Sequence, residues 1–174
     1  MNKIFGILVF LICYAGYAQL TAASYSVKNL DANSKYGDFS TVFYGKDKIV
    51  FSSSRGTSGK KKWDGNDQPF LDLYVGEVDA KGELSKVKPF SRSVNSKYHD
   101  AMVAFSPDLK DVYFTSNNYM DGELKSGGIK IFKATIDASG HWTDMVTLPF
   151  NSDDYDTGQP SLSKDGGKLY FISS

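Results

Sequence analysis

One lead-in segment is spelled three times along this chain, and its recurrence governs what the chain can fold into. Asn33-Ser34-Lys35-Tyr36-Gly37-Asp38 returns as Asn95-Ser96-Lys97-Tyr98-His99-Asp100 and, more loosely, as Asn151-Ser152-Asp153-Asp154-Tyr155-Asp156. Each copy runs into the same kind of hairpin. The first has Thr41-Val42-Phe43, a turn at Gly45-Lys46-Asp47, and then Lys48 to Ser53. The second has Met102 to Phe105, a turn at Ser106-Pro107-Asp108, and then Asp111 to Ser116. The third has Pro160-Ser161-Leu162, a turn from Ser163 to Gly167, and then Lys168 to Ser173. Asp and Gly tolerate the left-handed backbone of tight turns, and proline presets φ for one.

The first two copies add a second hairpin. Leu71 to Val78 matches Ile129 to Ile136 without a gap, through the turns Asp79-Ala80-Lys81-Gly82 and Asp137-Ala138-Ser139-Gly140 and on to Leu84 and Trp142. Both then reach a Pro-Phe pair, Pro89-Phe90 and Pro149-Phe150. Each complete unit therefore reads as four short strands. A lone sheet of this size cannot bury both faces, and strands such as Lys168 to Ile172 carry apolar side chains on both. Stacking successive sheets around an axis covers them, which is the β-propeller solution. A β-sandwich also uses short strands at this spacing but does not require the four-strand unit to repeat. The expected fold is all-β: an incomplete propeller with blades at 33–94 and 95–150 and the first hairpin of a third at 151–174, after a lead segment at 19–32. Propellers use at least about four blades, so the expectation is the amino-terminal piece of a longer protein, with closure by oligomerisation the alternative.

Residues 1–18 have the pattern of an export signal. Lys3 supplies a short positive region, Ile4 to Ile12 an apolar run, and Ala15-Gly16-Tyr17-Ala18 the small residues that place cleavage between Ala18 and Gln19. The apolar run is shorter than the roughly 20 residues a spanning helix needs, so no transmembrane span is expected in the mature chain. Cys13 follows Ile12, which is not the small residue that lipidation asks for. It is also the only cysteine, and cleavage removes it, so disulfides and thiol chemistry are not expected. Lysine plus arginine and aspartate plus glutamate both number 20, and Lys60-Lys61-Lys62 is the only positive run, which gives no nucleic-acid footprint.

The segment Phe105-Ser106-Pro107-Asp108 followed by Val112-Tyr113-Phe114-Thr115-Ser116 resembles the Pro-Asp repeat of TolB-like (WD40-like) propellers. Ser161-Leu162-Ser163-Lys164-Asp165-Gly166 with Leu169-Tyr170-Phe171 is a second instance, whereas Tyr44-Gly45-Lys46-Asp47 in the first copy departs from it. The Asn-Ser-Lys-Tyr lead-in with Leu71-Asp72-Leu73-Tyr74 is similar to exported propeller proteins of Bacteroidetes that continue into an OmpA-like, peptidoglycan-binding domain. The resemblance implies a periplasmic or outer-membrane-associated protein of the OmpA family. Its partner would be a protein or a cell-wall glycan, with peptidoglycan reached only through a further domain.

Catalytic constellations are not expected in this chain, nor is a cofactor or a metal. His99 stands where the first copy has Gly37, and His141 beside a turn, so both read as exposed turn residues outside any metal-ligand spacing. No Gly-x-Ser-x-Gly elbow occurs. Asp38, Asp100 and Asp156 recur at one place in each repeat. They are expected to accept hydrogen bonds from backbone amides of the strand-entry loop, with a calcium-binding rim as the alternative. The segment from Arg55 to Pro69 breaks the repeat, and its Trp63, Asp64 and Asn66 are the candidate partner-binding loop. The expected function is a non-catalytic binding or scaffolding propeller of the cell envelope. The alternative is the propeller of an exported peptidase whose catalytic domain lies further on.

Overall fold

The computed structural model describes residues 24–56, 68–91, 94–96, 98–120 and 123–174, with the side chains of 118–120 and 123–127 left aside. The export signal, its Ala18–Gln19 junction and the Trp63, Asp64 and Asn66 loop lie outside the described residues. Ten strands follow one another among the described residues: β1 Asp38–Phe43, β2 Lys48–Ser53, β3 Asp72–Val78, β4 Leu84–Pro89, β5 Asp100–Phe105, β6 Asp111–Met120, β7 Glu123–Ile136, β8 Trp142–Thr147, β9 Thr157–Leu162 and β10 Leu169–Ser173. They form two four-stranded antiparallel sheets, β1-β2-β3-β4 and β5-β6-β7-β8, and a two-stranded hairpin, β9-β10. Within each sheet, neighbours in sequence are neighbours in space, as tight turns dictate. None of these sheets closes on itself, and no helix occurs among the described residues.

The hairpins lie where Gly, Asp and Pro punctuate the apolar runs. Two features go beyond the repeat pattern and have physical causes. The polar stretches on either side of 121–122 are paired: Asn117 pairs with Ile129, Tyr119 with Leu124 and Met120 with Glu123, so β6 and β7 continue as one long hairpin. The ladder satisfies backbone groups that a loop would leave to water, and polar side chains do not prevent it. The two Pro-Phe pairs are not equivalent either. Pro89 pairs with Tyr74 inside β4, whereas the same register in the second sheet, opposite Phe132, holds Thr147. Pro149 and Phe150 fall in the turn beyond β8.

The sheets pack face to face, with β5 against β1, β2 and β3, and β9 against β5, β6 and β7. Val50, Leu73 and Val75 of the first sheet meet Val103, Val112, Phe114, Phe132 and Trp142 of the second in one core. Aromatic rings join the layers: Tyr44 lies 4.8 Å from Phe105, and Phe90 lies 5.7 Å from Trp142, centroid to centroid. Each such pair contributes about 0.5–1.5 kcal/mol beyond its buried area. Five consecutive residues of β3, Asp72 to Gly76, are buried because a central strand is covered on both faces.

A backbone irregularity recurs with the repeat. Ser40, Met102 and Gln159 all have positive φ, at 56°, 49° and 56°, and sit two residues into β1, β5 and β9. The strand register shifts there or directly opposite in all three. Left-handed backbone costs a non-glycine residue roughly 1–2 kcal/mol, so a bulge kept three times needs a compensating contact. In the second and third repeats that contact is between layers. Met102 N–H donates to Ser52 Oγ at 2.9 Å and Gln159 N–H to Thr115 Oγ1 at 3.1 Å, each reaching back to the preceding sheet.

Candidate functional site

The strand-entry loops are where the sheets meet, and the acidic positions lie in them. The Asp38 carboxylate accepts from Ser34 N–H at 2.7 Å, Ser34 Oγ at 2.9 Å, Ser53 Oγ at 2.5 Å and Arg55 Nη2 at 2.7 Å. Burial pushes its pKa up, but the Ser53, Arg55 and Ser34 hydrogen bonds outweigh this and hold it below the usual carboxylate range. Arg55 also stacks over Phe51 and Tyr74 and donates to the Ala32 carbonyl at 3.0 Å, tying the lead segment to the sheet.

Asp100 keeps the same loop geometry without an arginine. It accepts from Ser96 N–H and, at 2.8 Å, from Ser116 Oγ. Its side chain is fully buried, and burial raises its pKa to about 6 against the Ser96 and Ser116 hydrogen bonds, with help from the charge of Asp72. Both carboxylates thus accept backbone amide and serine hydrogen bonds inside the entry loop.

Asp156 does not hold the third equivalent place. Strand register pairs Asp38 with Ser53, Asp100 with Ser116 and Thr157 with Ser173, so Thr157 is the counterpart. The third lead-in is one residue longer, which moves Asp156 to the position of Gly37 and His99. At this position the backbone bonds recur: the carbonyls of Gly37, His99 and Asp156 accept from Ser54, Asn117 and Ser174 N–H respectively. The side chains then do one job with different chemistry. His99 Nδ1 accepts from Leu71 N–H at 3.1 Å, and Asp156 Oδ1 accepts from Ile129 N–H at 2.8 Å. His99 is therefore not an exposed turn residue. It is half-buried, its ring lies 4.7 Å from that of Phe70, and burial lowers its pKa. His141 does stand exposed, beside Ser139 and Asp137.

One asparagine of the lead-in completes each junction. Asn95 accepts from Leu73 N–H at 2.9 Å and donates to Leu73 O at 3.1 Å. Asn151 makes the same pair with Ile131, at 3.2 and 2.8 Å. One amide side chain satisfies both backbone groups of a buried residue, which explains its recurrence. Beneath the third lead-in, buried Lys130 donates to the carbonyls of Ser152 and Tyr155. Neither the asparagine clasp nor Arg55 followed from reading the lead-in letter by letter. Recurrence of the asparagine was a usable signal, whereas Arg55 has none within the repeat.

Beside these junctions β1, β5 and β9 converge on a cleft of about 500 Å³. Val42, Phe105, Pro160 and Leu162 give it an apolar wall, while Ser40, Gln159 and Ser163 add polar groups. Lys164 is the one ionisable side chain lining it among the described residues. Such a surface suits the backbone and apolar side chains of an extended peptide. Comparison with protein-family models and with curated proteins gave no match to this chain.

Proposed function

We propose that this chain is a non-catalytic binding or scaffolding module of β-propeller type, exported to the bacterial cell envelope. The observation that carries the reading is the repeated junction. The bulge bond from Met102 to Ser52 recurs from Gln159 to Thr115, and the clasp of Asn95 recurs at Asn151. Two successive interfaces built on one pattern support an array in which each blade docks on the last. The converging first strands of the repeats leave a cleft of mixed apolar and polar lining, the surface on which a TolB-like module would hold a protein partner. Attachment to peptidoglycan would be the work of an OmpA-like domain beyond these repeats.

The experiment expresses the full chain with a carboxy-terminal tag in a Bacteroidetes host, fractionates the cells and sequences the amino terminus. The expected result is a mature chain beginning at Gln19 in the envelope fraction, retained there with a cross-linkable protein partner. A chain that keeps Met1 in the cytosol overturns the envelope reading. Hydrolysis of a peptide library by the purified chain overturns the non-catalytic one.

A further inference from the structure

A second cleft, about 460 Å³, opens between the first sheet and the β7–β8 turn of the second. Its wall is apolar, made by Tyr44, Val75 and Phe90, and Gly140 closes it from the neighbouring sheet. Its rim is cationic: Lys48, Lys86 and Lys88 line it against a single carboxylate, Glu77. That carboxylate is taken by Lys86, 2.7 Å away. Lys48 and Lys88 are close enough to lower the Glu77 pKa further, yet neither forms an ion pair among the described residues.

The repeat supplies its own control. Register places Lys48 opposite Glu77 in the first sheet and Asp111 opposite Thr135 in the second. The bulge residue Lys86, at φ 51°, has Asp144 as its counterpart, also at φ 51°. Val75 faces Lys88 in the first sheet, whereas Lys133 faces Val146 in the second. In the second sheet the cation is neutralised, because Lys133 lies 3.0 Å from Asp111 and stacks over Tyr113. The fold therefore does not require lysines at these places. The first sheet combines an apolar wall with two ammonium groups, Lys48 and Lys88, that form no ion pair among the described residues, whereas the second sheet pairs its Lys133 with Asp111.

We infer that this cleft binds a small organic anion. Its carboxylate or phosphate would be held by Lys48 and Lys88, with Lys86 assisting, and its ring or aliphatic body would lie on Tyr44, Val75 and Phe90. Clustered cations attract the charge, and the concave apolar wall supplies the area that bare phosphate cannot use. The inference involves only the first two repeats and is independent of the envelope reading.

The test is calorimetric titration of the full chain with 1-naphthyl phosphate, against 1-naphthol and inorganic phosphate. Naphthyl phosphate should bind at least ten-fold more tightly than either, and more weakly as salt rises. Transplanting the second repeat's residues, Lys48→Asp with Lys88→Val, should weaken binding at least ten-fold with an unchanged urea midpoint, since both side chains are exposed. Vesicles of phosphatidylglycerol identify the source of the anion. Capture of the chain that naphthyl phosphate reverses points to a lipid headgroup, and failure to capture points to a soluble anion. Equal affinity for naphthol and naphthyl phosphate would overturn the proposal, as would undiminished binding by the double variant.

Discussion

Asp38 and Asp100 show how one loop position acquires opposite electrostatics. Both carboxylates sit in the same serine-lined entry loop, but Asp38 has Arg55 beside it and Asp100 has no cation among the described residues. The consequence is a stability effect whose sign can be worked out. An unfolded aspartate titrates near about 3.9, and Asp100 in the fold titrates at about 6. Between these values the folded chain binds more protons, so stability grows as pH falls through 6 and the ionised carboxylate burdens the fold above it. An asparagine side chain in its place would mimic the neutral acid, its carbonyl accepting from Ser96 and its amide donating to Ser116. Asp100→Asn should therefore match the wild type at about pH 3, below both values, and exceed it at about pH 7.5 by about 1–3 kcal/mol. Urea unfolding of both proteins at the two pH values checks this. The neighbouring His99 acts in the other direction. Its lowered pKa gives stability that is present above the unfolded value and is lost as pH falls, but it is common to both proteins and cancels in their difference. A difference independent of pH would contradict the assignment.

At the scale of elements, hairpins were the most legible feature of the sequence. Apolar runs of strand length, bounded by Asp, Gly and Pro, left few other solutions, and β2 begins and ends at the residues the pattern picks out. The extended β6–β7 hairpin was not legible, because backbone pairing leaves no mark on polar residues such as Asn117 and Glu123. The third acidic position was misread for a different reason. Matching letters aligns Asp156 with Asp100, yet counting back six residues from the hairpin turns at Tyr44, Ser106 and Ser163 lands on Asp38, Asp100 and Thr157. Turn geometry is the firmer anchor, since an insertion in a lead-in shifts letters and leaves strand register alone. Hairpin tips also take part in packing between layers. Gly166 has φ +72°, and a Cβ there would lie 2.9 Å from Pro107 Cδ in the adjacent sheet's turn. Gly140 has φ +84° with nothing within 4 Å. Gly140→Ala should thus cost about 1 kcal/mol from backbone strain alone. Gly166→Ala adds a clash with a rigid ring and should cost about 1 kcal/mol more. Thermal unfolding of the two variants side by side measures the inter-layer part as their difference, and equal losses would show that the tips do not touch.

For the whole molecule, the informative contrast is between the same strand positions with and without a covering layer. Val50 and Phe51 of β2 are buried, as is Phe114 of β6, whereas their register equivalents Tyr170 and Phe171 of β10 are 57% and 38% exposed. The chemistry of these strands is alike, so the exposure comes from what lies alongside and not from sequence. One position differs in kind. Ser52 and Thr115 offer hydroxyls that receive the next layer's bulge amide, but Ile172, 58% exposed, offers none. On the opposite flank Phe43 of β1 is 68% exposed. Two apolar flanks, one ending in the unpaired edge of β10, favour association between molecules. The full chain should therefore show a mass that climbs with concentration in size-exclusion chromatography with light scattering. Tyr170→Lys combined with Ile172→Lys should hold it closer to the monomer. Because these side chains are largely exposed, the unfolding free energy of the isolated molecule should move by no more than about 0.5 kcal/mol per substitution. A monomer at every concentration would mean that the flanks are too small or too uneven to pair. Association unchanged by the two lysines would shift the contact to Phe43 and the edge of β1.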